Sequence, residues 1–162
     1  MFLDVRKKFE QTGEIEPFDF YCILVWKSNR AKSKTKSRLK KIARGNFAQA
    51  VSTIAKSLRN AESPKERLEV LMTHWRFRLP MASAILSVFY PRYFTVYDVR
   101  VCSVLKAHHN LGNLRFSDRL WKGYLNFVSG VKHAAKNVRT LRDKDRYLWG
   151  KSRYHDIKRE CA

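Results

Sequence analysis

One acidic residue, Asp98, lies in a sequence context that serves both structure and chemistry. The segment RYFTVY before it is rich in aromatic and β-branched residues and is predicted to be extended, whereas VRVCSVLKAHH after it is predicted to be a helix. Asp98 is therefore placed to cap that helix, a role that contributes about 1 kcal/mol. Because helix N-termini favour an ionised carboxylate, the same residue could also stabilise a developing cation or activate water. A structural cap and a catalytic carboxylate both remain open interpretations.

The chain that carries this acid is strongly basic. Its 162 residues include 34 Lys and Arg against 14 Asp and Glu, which gives a formal net charge of +20. Such an excess destabilises a compact chain by self-repulsion unless an anionic partner offsets it, so nucleic acid is the leading partner. A cationic surface that merely keeps the protein dissolved is the alternative.

The densest run of positive charge is KSNRAKSKTKSRLKK, residues 27–41, which contains no acidic residue. Like charges without acidic partners repel one another and favour contact with phosphate. A solvated charged helix face is the alternative interpretation. The residues of this run that we predict to bind nucleic acid are Lys27, Asn29, Arg30, Lys32, Lys34, Lys36 and Arg38.

Helical periodicity dominates the rest of the chain. Apart from the link before Asp98 no segment alternates with a period of two, so the predicted class is all-α, a compact single domain over 1–162 with about eight or nine helices. The apolar patterns and their start and stop signals predict helices over residues 2–12, 17–28, 47–58, 64–75, 80–90, 99–109, 117–136 and 141–154.

The cysteines and the apolar runs indicate whether disulfides, metal sites or membrane spans are to be expected. Cys22, Cys102 and Cys161 are too few and too scattered for a disulfide framework, and no His and Cys residues have metal-ligand spacing. No run approaches the ~20 apolar residues that span a bilayer. We therefore expect a soluble intracellular monomer, cytoplasmic or nucleoid-associated, without metal or other cofactor.

Two segments carry a resemblance to a known family. RFRLPMASAIL, residues 76–86, followed after about a dozen residues by VYDVRV, resembles the helix-hairpin-helix DNA glycosylase superfamily, the endonuclease III-like fold. The resemblance puts the hairpin glycines of the family at Arg76 and Arg78, its helix at 82–86 and its catalytic Asp at Asp98. It also implies that Asn29 lies near the position that enters the opened duplex.

The chain departs from the family pattern at three places. Both hairpin glycines are Arg, whose side chains could contact phosphate directly in place of the backbone cradle. The position of the nucleophilic lysine of bifunctional members is Pro80, so the resemblance implies a monofunctional enzyme without lyase activity. Cys161 stands alone at the C-terminal end, so no iron–sulfur cluster is expected.

The resemblance implies a DNA-binding protein that cleaves N-glycosidic bonds in base excision. Cleavage builds positive charge on the sugar, which an ionised Asp98 would stabilise, or Asp98 would orient the attacking water. The base must first leave the helical stack. Trp26, Tyr21 and Trp75 are candidates for stacking on the extruded base, with core packing as the alternative role of each.

Two other functions fit the same residues. A non-catalytic duplex-binding protein would keep the fold and its basic surface and use Asp98 only as a cap. An RNA-binding module would direct the same charge at a different polymer.

Overall fold

The computed structural model describes residues 2–161 and confirms an all-α domain, with no β-strand in that range. A π-helical turn, Val70–His74, follows α5, and short 3-10 turns lie at Asn29–Ala31 and Leu111–Asn113. The α-helices are α1 Phe2–Thr12, α2 Pro17–Ser28, α3 Lys32–Ala43, α4 Phe47–Asn60, α5 Pro64–Glu69, α6 Leu79–Phe89, α7 Val99–Leu105, α8 Asp118–Ala134 and α9 Leu141–Glu160.

The core is built around α6. Nine of its 11 residues are buried, and α1, α2 and α5 all pack against it. Ala82, Ser83 and Ala84 are all fully buried, and such small side chains let neighbouring elements approach the helix closely. Fully burying one Leu or Ile side chain contributes about 1.5–3 kcal/mol, so this helix is a main source of stability.

Several helix ends differ from the sequence prediction, most of all those of α5, α7 and α9. Helix α5 ends at Glu69, where a π-helical turn replaces the α-helix predicted as far as residue 75. The helix after Asp98 ends at Leu105 rather than near 109, because Lys106 adopts a left-handed conformation with φ of 54° and its N–H bonds back to the carbonyls of Cys102 and Ser103. The Tyr97 hydroxyl then holds the following turn by donating to the His108 carbonyl at 2.6 Å. The last helix continues to Glu160, beyond the predicted end at 154.

The link before Asp98 differs in part from the prediction, because Arg92 and Tyr93 lie in a turn closed by bonds to the Tyr90 carbonyl. Residues 94–97 then lead to the extended backbone of Asp98 without a neighbouring strand. Their buried backbone bonds to side chains instead. The Thr95 N–H donates to the Tyr124 hydroxyl at 3.1 Å, and that hydroxyl donates to the Thr95 carbonyl at 2.7 Å. The Val96 N–H donates to Asp145 Oδ2 at 3.1 Å and the Tyr97 N–H to Ser83 Oγ at 2.9 Å. Helices α6, α8 and α9 therefore each fix part of this segment.

Replacing Tyr124 by Phe tests that arrangement. We expect Tyr124→Phe to lower the free energy of unfolding by about 1–3 kcal/mol, because a buried N–H and a buried carbonyl of Thr95 both lose their partner. Urea unfolding followed by circular dichroism measures the change. Tyr93→Phe, at an exposed tyrosine in the same region, is the matched control. Equal stability of the two variants would contradict the assignment.

Candidate active site

Asp98 both caps a helix and forms an ion pair. Its Oδ1 accepts the Arg100 N–H at 3.0 Å, which confirms the predicted cap of α7. Its Oδ2 accepts a hydrogen bond from Lys27 Nζ at 2.8 Å. The Asp98 side chain is 22% exposed and that of Lys27 is 13% exposed. The carboxylate is therefore partly open to solvent and retains a charged partner besides the backbone.

Lys27 reaches Asp98 because of its place on α2. Phe20, Ile23 and Leu24 are buried on one face of this helix, and residue 27 follows them with helical spacing on the same side. These buried side chains pack α2 against the core. The Lys27 side chain then extends to Asp98, and its Nζ also donates to the Tyr97 carbonyl at 3.4 Å. The ion pair thus joins two elements that are 71 residues apart in the chain.

Asp98 and Lys27 line a cavity of about 570 Å³ between α2, α7 and α9. Two tryptophans, Trp26 and Trp149, contribute partly exposed indole rings to it. Arg142 and Arg146 add positive charge from α9. A cavity of this size with aromatic walls and convergent charged groups has the make-up of a small-molecule or nucleobase site. The remaining lining residues are Val96, Val101, Asp145 and Gly150.

Asp145 connects the cavity to the link before Asp98. One carboxylate oxygen accepts from the Thr95 hydroxyl at 2.7 Å and from the Val96 N–H, and the other pairs with Arg142. The Arg142 guanidinium also lies over the Trp26 ring, 4.8 Å from its centre. Burial raises the pKa of Asp145 above its ordinary value, although Arg142 and the hydrogen bonds oppose this shift. The network therefore fixes Trp26 and the floor of the cavity together.

The other aromatic candidates lie elsewhere. Tyr21 packs edge-on against Phe47, with ring centres 6.1 Å apart, and Lys36 lies over both rings. Trp75 is fully buried in the core, and its indole N–H has no hydrogen-bond partner among the described residues. Of the three predicted stacking residues, only Trp26 lines the Asp98 cavity.

The predicted phosphate-binding residues separate into three groups. Only Lys27 joins the cavity. Asn29, Arg30 and Lys34 are exposed, and Lys32 bonds to the side chain and carbonyl of Asn29. Arg38 lies over Phe77, and burial followed by the nearby charge of Arg76 lowers its pKa.

The two hairpin arginines lie outside the cavity lining as well. Arg76 is exposed and has a left-handed backbone with φ of 54°. Arg78 precedes α6, and its guanidinium donates to the Asn113 carbonyl at 3.4 Å. Arg38, Arg76 and Arg78 are thus associated with the turn that leads into α6, away from the lining of the Asp98 cavity.

The contribution of α9 to the cavity was not predicted from the sequence. Arg142, Arg146 and Trp149 recur at helical spacing, so they share one face of this helix, and all three line the cavity. That spacing is visible in the sequence. What it does not show is that this face, rather than the opposite one, turns toward Asp98.

The chain matches no protein-family model, no curated protein and no solved structure. Within residues 2–161 no three His, Cys, Asp or Glu side chains are grouped so that they could hold a metal ion. None of the described helices has the length and apolar character needed to cross a membrane.

The raised pKa of Asp145 has a defined effect on stability. The folded state binds this proton more tightly than the unfolded chain, so the contribution of Asp145 to stability falls as the pH rises above about 4, the ordinary value of the carboxyl. We expect the stability of the wild type, relative to Asp145→Asn, to decrease over this range in urea unfolding at a series of pH values.

Asp118→Asn is the matched control for this pH series. Its hydrogen bond and ion pair with Lys65 lower the pKa of Asp118, so the difference between wild type and this variant should change in the opposite direction and below about pH 4. A wild-type stability that rises relative to Asp145→Asn above this pH would contradict the assignment.

Proposed function

We propose that this chain binds duplex DNA and hydrolyses the N-glycosidic bond of a base, as a monofunctional DNA N-glycosylase that uses Asp98. The observation that carries the proposal is a partly exposed carboxylate, fixed by a backbone N–H, in a cavity with two tryptophans and three cationic side chains. The cations can attract phosphate, the indoles can stack on a base and the carboxylate can act on the sugar.

The backbone at the hairpin supports the resemblance to the helix-hairpin-helix glycosylases. Arg76, which occupies the first glycine position of that pattern, has the positive φ for which glycine is normally selected. The Phe77 N–H bonds back to the Leu71 carbonyl at 2.9 Å, which closes the turn, and α6 begins at Leu79. A turn, a short non-helical link and the cap at Asp98 then follow, and the cap has the place in the order that the family pattern requires.

The proposed reaction needs only groups of this chain and water. A base extruded from the duplex enters the cavity and stacks on an exposed indole face. As the bond between C1′ and the base nitrogen breaks, the base leaves with the electron pair and the sugar gains positive charge. Asp98 stabilises this charge and accepts a proton from the water that adds to C1′. The departing base takes up a proton from solvent.

Lys27 regulates how much of the Asp98 charge the sugar experiences. In the free protein its ammonium group pairs with Asp98 Oδ2. A DNA phosphate at the cavity mouth competes for the same ammonium group, and its transfer to phosphate releases Oδ2 toward the sugar. In this reaction Lys27 acts only as an ion-pair partner and not as the nucleophile that Pro80 lacks.

Asp98→Asn tests the proposed chemistry. Asn retains a carbonyl oxygen for the Arg100 N–H and caps helices well, so the fold should persist. We expect duplex affinity to be kept and base release to fall by about 100-fold or more, because the charge that stabilises the sugar cation is lost. The measurement is abasic-site formation on a panel of duplexes with deaminated, alkylated, oxidised and mismatched bases.

Asp118→Asn, an exposed aspartate on α8, is the matched control and should release bases like the wild type. Wild-type protein that binds duplexes but releases no base from the panel would favour a binding-only role. Markedly tighter binding to structured RNA than to duplex DNA at the same salt concentration would overturn the proposal. Borohydride trapping in the same assay should give no cross-link through Lys27.

Arg76→Gly separates the geometry of the hairpin from its charge. Glycine accepts the positive φ without strain, so the fold should be kept, whereas one phosphate contact is lost. We expect the slope of log affinity for duplex DNA against log salt to become shallower by about 0.9. Arg76→Lys keeps the charge and should keep the slope. An unchanged slope for Arg76→Gly would show that this side chain does not contact phosphate.

A further inference from the structure

Helix α9 has an outer face that the Asp98 cavity does not use. Large apolar side chains that remain exposed are concentrated on this helix, where Tyr147, Trp149, Tyr154 and Ile157 all face solvent to a substantial degree. Trp149 belongs to the cavity. Tyr147 and Tyr154 lie about 140–160° around the helix axis from Trp149, so they form a second surface.

Lysines extend this second surface into a stripe. Tyr147, Lys151, Tyr154 and Lys158 follow one another at spacings of four, three and four residues, which puts them on one helix face. The tyrosines are 54% and 64% exposed, and both lysines are exposed. Within residues 2–161, the ion pairs of α9 involve other side chains of the helix and neither lysine.

We propose that the stripe formed by Tyr147, Lys151, Tyr154 and Lys158 binds single-stranded nucleic acid. Aromatic rings that stack on bases, beside cations that follow the phosphate backbone, are the combination that binds single strands without sequence preference. The tyrosines are seven residues apart, about 10.5 Å along the helix, which spans about three stacked base steps. The bases of a duplex are already stacked on one another, so exposed rings on a convex helix select unpaired ones.

Two other occupants fit the stripe less well. A second copy of this chain would bring another +20 of net charge against the same surface, and like charges oppose such contacts. A membrane surface would need an apolar helix face to insert. The apolar face of α9 is already used, since Leu148 is buried and the helix packs against α7 and α8. Charge complementarity therefore favours the polyanion.

This inference does not depend on chemistry at Asp98, and its test keeps the two apart. Fluorescence anisotropy with a labelled oligothymidylate of about 12 nucleotides measures single-strand affinity directly. We expect Tyr147→Ala/Tyr154→Ala to weaken binding by at least about tenfold, because two stacking platforms are lost. Tyr147→Phe/Tyr154→Phe keeps both rings and should bind like the wild type, as should Tyr93→Ala.

The salt dependence of binding tests whether Lys151 and Lys158 contact phosphate. Lys151→Gln/Lys158→Gln should make the slope of log affinity against log salt shallower by about 1.4, since each single-strand phosphate contact contributes about 0.7. Alanine favours helix more than tyrosine does, so circular dichroism should show an intact α9 in the alanine variant. Wild type that fails to bind the oligothymidylate would overturn the proposal, as would equal affinity of the wild type and the alanine variant. If Tyr147→Ala/Tyr154→Ala lost binding to phosphatidylserine vesicles while its single-strand affinity stayed at the wild-type value, the stripe would be a membrane-binding surface instead.

Discussion

The structure depends on hydrogen-bonding the buried backbone of one short non-helical segment that has no strand beside it. A buried N–H or carbonyl without a partner costs about 1–3 kcal/mol, and residues 94–97 pass through the interior of a helical domain. The side chains of Ser83, Tyr124 and Asp145 supply the partners that a β-sheet would normally provide. Because these three residues lie on α6, α8 and α9, the hydrogen bonds of the segment also fix the relative positions of three helices.

The candidate site follows from this arrangement. The segment ends at Asp98, so whatever holds Val96 and Tyr97 also positions the carboxylate that caps α7. Asp145 has a double function, since it binds the segment and pairs with Arg142, whose guanidinium lies on Trp26. A rotation of α9 would therefore disturb the link before Asp98, the tryptophan and the cavity floor together. Burial opposes the ionisation of Asp145 and raises its pKa. The same burial allows its carboxylate to hold the segment and Arg142 in fixed positions.

Much of the helical layout could be predicted because local signals coincide with apolar stripes. The helix predicted over residues 2–12 is observed with the same bounds, and Asp98 caps α7 as predicted. Errors arise where a distant contact overrides the local pattern. His108 continues a helical sequence, yet Tyr97 fixes its carbonyl in a turn, and the α-helix from Pro64 gives way to a π-helical turn at Val70. Local sequence patterns do not show which side chain of another element will contact a given residue.

The same limit explains which site residues were predicted. Asp98 and Trp26 were predicted as candidates because a cap signal and an aromatic residue are visible locally. That Trp149 and Arg142 line the same cavity depends on how α9 packs against α7. Tyr21 and Trp75 are aromatic residues on apolar helix stripes, as Trp26 is, so the sequence does not distinguish them. They differ in packing, since Tyr21 contacts Phe47 and Trp75 is fully buried. Lys27 was predicted as a phosphate contact within a basic run, but the fold brings it to the one acid singled out in the sequence.

The charge distribution explains why the Asp98 cavity can attract an anion although its lining contains two acids. Asp98 is paired with Lys27 and Asp145 with Arg142, so both carboxylates are neutralised by cations that line the same cavity. Arg146 pairs only at 3.7 Å, with the exposed Asp143, and adds positive charge at the cavity. A phosphate that approaches therefore meets attraction rather than the repulsion that two bare carboxylates would exert. The excess of 34 basic over 14 acidic residues supplies the remaining field, since few acids are available to pair with the other cations.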